Sequence, residues 1–184
     1  MKRTIVTLVS LFIMFPVLAA VSGCGAQTDQ ANQLVEQVNQ IATDVAPKID
    51  QADKLLTQAT DQLSLGKAEE EKSSLVKAQA LIDEIAADIT SAKSKTDEAA
   101  SLNISDSYRQ YLQAKGRALD EALGLNQTSK DMTVLLLSDL TMQKPDTLPK
   151  FNDLKTTAQA QSQRLQAAED EANSIASAHA DEIK

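Results

Sequence analysis

The chain contains no tryptophan, one cysteine and one histidine, and its 184 residues include only two tyrosines and three phenylalanines. A single cysteine excludes a disulfide framework within one copy. A single imidazole leaves any serine or cysteine nucleophile with one possible histidine base. With aromatics at 3%, a core has to be assembled from alanine, leucine, isoleucine and valine. Alanine-rich seams suit helices that approach closely.

What is present starts with a charged and apolar N-terminus. Lys2 and Arg3 precede an apolar run from Thr4 to Ala20, followed by small residues. That is the layout of a secretory signal peptide. The run also approaches the length of a short membrane span. Pro16, Ala19, Ala20, Ser22 and Gly23 favour an extended, cleavable segment over a retained anchor helix. The only cysteine closes the stretch Val21-Ser22-Gly23-Cys24.

An aliphatic residue, two small ones and a cysteine resemble the lipobox of bacterial lipoproteins. The resemblance covers residues 1–24 alone, and Val21 stands where that family usually has leucine. It implies that the Cys24 thiol receives a diacylglycerol, that cleavage follows Gly23, and that Cys24 becomes the mature N-terminus carrying palmitate-type chains. Gly25 follows, so the aspartate common in lipoproteins kept at a Gram-negative inner membrane is absent. The expected location is the extracytoplasmic face of the cell membrane, or an outer membrane in a Gram-negative cell. One acyl chain binds a membrane marginally and two or more hold it essentially permanently.

The expected organisation is a signal peptide over 1–23, a lipidated tether over 24–27 and a helical domain over 28–184. Removing 23 residues takes two basic side chains and no acidic ones, moving the net charge from −8 to −10. A domain this acidic is repelled by nucleic acid and by anionic headgroups. The expected membrane contact is therefore the lipid, and no nucleic acid is expected as a partner.

From Thr28 to Leu63, apolar residues recur in steps of four and three through Ala31, Val35, Val38, Ala42, Val45, Ile49, Ala52, Leu56 and Ala59. This is the seam of a helix in a bundle or coiled coil. Pro47 falls on the outward side and leaves the register unbroken, so one kinked helix is expected. Gly66 is a stop signal.

A second helix starts near Lys67, with a seam through Leu75, Ala78, Ile82, Ile85, Ile89, Ala92 and Ala99 and with Glu71 and Thr96 as polar exceptions. Its last turns, past Lys93-Ser94-Lys95, are expected to pack less well. Residues 101–105 read as a turn, with Ser105 as N-cap of a third helix running to about Thr141. Gly124 to Lys130 could cap and restart that helix, although heptad spacing through Ser129 favours a single one. Lys144 to Pro149 is a break with two prolines, and a fourth helix follows from Phe151.

The fold class expected is all-α: an antiparallel up-down-up-down four-helix bundle with long heptad-patterned helices. An extended coiled-coil hairpin is the alternative. Four segments of about 35 residues would each span about 50 Å. Gln161, Ser129 and Lys115 are polar seam residues that fix register at some cost in stability.

No constellation points to catalysis, to a cofactor or to a metal. His179 sits near the C-terminus with Ala176 three residues before it, so the Glu-x-x-His pattern of di-iron bundles is missing. Glu69-Glu70-Glu71 and Glu169-Asp170-Glu171 read as solvated helix surface, because consecutive helical residues diverge. The residues to watch are Val134, Leu135 and Leu137. Val134-Leu135-Leu136-Leu137 covers more of a helix than one core stripe needs. It is either a wide core face or a partner patch. The expected role is a non-enzymatic helical module for protein interaction, self-association or spacing at the cell envelope. A bundle holding a small ligand between its helices, for instance in a cavity ringed by Tyr108 and Tyr111, is the alternative.

Overall fold

The computed structural model describes residues 26–63, 68–141, 143–180 and 183. Gly23, Cys24, the signal segment and Gly66 lie outside the described residues. The protein is all-helical, with no strand among the described residues. Helix α1 spans Ala26–Leu63, α2 Ala68–Ser101, α3 Asp106–Ser138 and α4 Thr147–Ala178. Packing follows chain order, α1 on α2, α2 on α3 and α3 on α4, as in a helical bundle. No helix among the described residues is long and apolar enough to cross a membrane.

Pro47 lies inside α1 without ending it, because its side faces solvent and only one backbone bond is lost. α1 begins at Ala26, so Ala26 and Gln27 are helical rather than part of a loose tether. α2 buries Glu71, Leu75, Ala78, Ile82, Ile85, Ile89, Ala92, Thr96 and Ala99. The expected fading of α2 after Lys93 does not occur. Thr96 is 1% and Ala99 0% exposed, and Thr96 Oγ1 donates to the Ala92 carbonyl at 2.9 Å, which lets a hydroxyl be buried without an orphaned group.

The turn after α2 is held from both sides. Ser105 caps α3, its Oγ accepting from the Tyr108 N–H at 3.2 Å. Arg109 donates to the carbonyls of Ala100, Leu102 and Ile104 and pairs with Asp106 at 2.9 Å. A guanidinium thereby satisfies carbonyls that the end of α2 leaves open.

α3 is one helix through Gly124. Gly124 leaves room for the Gln161 amide, which a Cβ there would meet at 3.0 Å, and Thr128 Oγ1 donates to Gln161 Oε1 at 2.8 Å. α3 ends at Ser138, three residues earlier than the periodicity suggests, and the reason is Asp139. Its carboxylate accepts from Lys144 N–H at 2.9 Å, Thr147 Oγ1 at 2.7 Å, Thr141 Oγ1 at 3.1 Å and Gln143 N–H at 3.4 Å. These donors fold the chain over the carboxylate and start α4 at Thr147. Leu148 and Pro149 are therefore in the first turn of α4, where a proline's missing N–H costs nothing.

The main core runs through all four helices, with a smaller cluster of Ala59, Leu75 and Leu136 backed by Leu56, Leu137, Leu140 and Phe151.

Candidate interaction groove

The last three turns of α3 carry two stripes. Ser129, Met132, Thr133 and Leu136 are buried and form the inward one. Asp131, Val134, Leu135 and Ser138, spaced i, i+3, i+4 and i+7, form the other. On α4, Lys150, Asp153 and Leu154 repeat the i, i+3, i+4 spacing, and the two sets line a shallow open groove of about 490 Å³.

Its floor is apolar, from Val134, Leu135 and Leu154. Its rim carries both signs of charge, from Asp131, Asp153 and Lys150. Gln127 Nε2 donates to Asp131 Oδ1 at 2.8 Å and orients that carboxylate. Lys150 Nζ lies 3.9 Å from Asp146 Oδ2, with both side chains more than half exposed. Such a loose contact leaves the ammonium available to an incoming partner.

The four consecutive apolar residues of α3 therefore divide. Leu136 is 1% exposed and Leu137 packs against the smaller core cluster. Val134 is 47% exposed and, with the half-buried Leu135, lines the groove. Of the three candidate patch residues, the structure brings Val134 and Leu135 to one surface and lays the partly buried Leu137 against the smaller core cluster. Sequence reasoning missed the α4 half of the groove. The only available signal was the i, i+3, i+4 spacing of Lys150, Asp153 and Leu154, and this is hidden next to a proline-containing turn.

A second feature is buried. Lys115 Nζ donates to Glu169 Oε2, with side chains 0% and 7% exposed. The same ammonium lies 6.0 Å from the Tyr111 ring centroid. Tyr108 and Tyr111 are buried in the core at 2% and 0% exposure, and Tyr108 Oη donates to Asn32 Oδ1 at 2.8 Å. Burial raises the phenol pKa of both, and the nearby Glu169 charge adds to the effect at Tyr111.

Glu169 corrects the reading of residues 169–171 as wholly solvated: Asp170 and Glu171 are exposed, but Glu169 is buried. It lies four residues after Leu165 and three before Ala172, on the seam of α4, where it faces Lys115. Glu71 is 1% exposed, in keeping with its place as a polar member of the α2 seam and against the surface reading of residues 69–71. His179 follows α4, and its backbone N–H closes the helix on the Ile175 carbonyl at 3.1 Å. Among the described residues, no group of three or more His, Cys, Asp or Glu could hold a metal ion.

No protein-family model matches the chain. No curated protein and no solved structure matches it at a significant level.

Proposed function

We propose that the protein is a lipid-anchored, extracytoplasmic lipoprotein whose helical domain acts by contact rather than by chemistry. The anchor reading rests on Lys2-Arg3, the apolar run to Ala20 and Val21-Ser22-Gly23-Cys24. The contact reading rests on one observation: an apolar groove that opens to solvent between α3 and α4 instead of being closed by core packing.

The domain is read as an up-down-up-down bundle with heptad seams. Pairs across its interfaces support this. Gln37 meets Lys95 while Lys48 meets Asp88. Lys93 meets Asp120 while Asp83 meets Lys130. Lys115 meets Glu169 while Thr128 meets Gln161. In each interface one number rises as the other falls, as antiparallel neighbours require. The Ser129, Met132 and Leu136 spacing and the α2 burial pattern support the heptads.

With the anchor at Cys24, the start of α1 is the membrane-proximal end. The end of α1, the start of α2 and the α3–α4 connection then lie at the far tip, and the groove lies next to it. The bundle presents the groove to other envelope components, while its charge of −10 keeps the body off anionic lipid.

Labelled palmitate fed to the native host tests the anchor. Incorporation into wild type and its loss in Cys24→Ser is the expected result. Equal labelling of both, or none in wild type, contradicts the anchor.

A further inference from the structure

All three large apolar side chains that are exposed among the described residues lie near one end of the bundle. Val76 is 51% exposed, eight residues after the first residue of α2. Val134 is 47% exposed, four residues before the end of α3, and Leu148 is 55% exposed in the first turn of α4.

Charge follows the same division. In the sequence, residues 54–80 and 131–155 contain seven lysines and eight acidic residues in total. The net charge of −10 expected for the chain after Gly23 is thus carried almost entirely by the rest of it. Two copies repel each other along most of their length and only weakly through these stretches.

We infer that the α3–α4 groove binds the same groove of a second copy, forming a two-fold dimer at the tip end of the bundle. The rim argues for this occupant. A two-fold contact sets each surface against itself, so a charged rim is complementary there only when it carries both signs within one patch. Lys150 of one copy faces Asp153 of the other, and Val134 and Leu135 meet across the axis. A two-fold axis along the membrane normal keeps both anchors in one membrane, so the geometry rests on the anchored, antiparallel reading above. The patch is small, which makes the contact weak in solution. Confinement to one membrane raises the effective concentration and compensates.

Full-length protein carrying Val134→Cys, in its native membranes, is treated with a thiol-specific bifunctional crosslinker. Gln113→Cys, exposed towards the other end of α3, is the control. The expected result is a dimer band several-fold stronger for Val134→Cys than for Gln113→Cys. Adding Lys150→Glu should abolish the excess. Mixing those copies with Val134→Cys copies carrying Asp153→Lys should restore it. Equal bands at the two positions, or an adduct of Val134→Cys with a different protein, overturns the proposal. Wild type treated alongside separates the two failures: a Cys24–Cys24 product shows an unacylated thiol, so the anchor reading falls, and the excess at position 134 still decides the dimer.

Discussion

Lys115 of α3 and Glu169 of α4 form an ion pair inside a core otherwise built mainly from alanine and branched aliphatic side chains. Taking both charges out of water costs several kcal/mol per ion, which their attraction and hydrogen bonding must offset. The pair ties α4 to α3 at one level and disfavours a slipped register, since any slip leaves a buried charge alone.

Breaking the pair should therefore cost more than removing it. Lys115→Met should destabilise by about 3–5 kcal/mol, because Glu169 is left buried and uncompensated. Lys115→Met combined with Glu169→Leu should recover most of that loss. Urea unfolding followed by circular dichroism reads both. A double variant no more stable than the single one would contradict this view of the pair.

Asp139 should give the fold a defined acid limit. Four donors hold its carboxyl pKa down to about 2 from the ordinary 3.8, the Thr147 hydroxyl contributing most. The folded form is the stronger acid, so the contribution is complete above about pH 4 and disappears as pH falls towards 2. Thr147→Val should shrink this acid-dependent loss, measured as the melting temperature between pH 5 and pH 2.

Gly116 should be replaceable with a gain. It is buried in the middle of α3, where glycine costs about 0.5–1 kcal/mol relative to alanine. An added Cβ would meet only the Asp97 carboxylate, at an ordinary 3.4 Å. Gly116→Ala should raise stability by about 0.5–1 kcal/mol. Gly124→Ala should gain less, because the Gln161 amide at 3.0 Å must move and Thr128 holds it. Thermal melts of the two variants compare them directly.

Leu137 and Val134 should respond oppositely to aspartate. Leu137→Asp puts a charge against the Ala59–Leu75–Leu136 cluster and should cost about 2–5 kcal/mol. Val134→Asp should leave helicity and melting nearly unchanged, because the side chain already reaches solvent.

How much of this was legible in the sequence depends on what each residue needs to know. Regular spacing marked the α1 and α2 seams, since a helix repeats its inner face whatever packs on it. Ser105 was readable as a cap because its partner is three residues away. Glu169 was not, because its burial depends on Lys115, 54 residues earlier in the chain. Asp139 was missed for a related reason. It ends α3 through donors in a loop whose prolines alone had marked the break. The groove needed two helices to be visible, so Val134 and Leu135 could be suspected but not separated from Leu137.

The most direct test of action through the groove is co-isolation of two differently tagged full-length copies after they have been crosslinked within their native membranes. Wild-type copies should be recovered together, and Val134→Asp/Leu135→Asp copies should separate while keeping wild-type helicity. Equal recovery of wild-type and variant pairs would contradict the account.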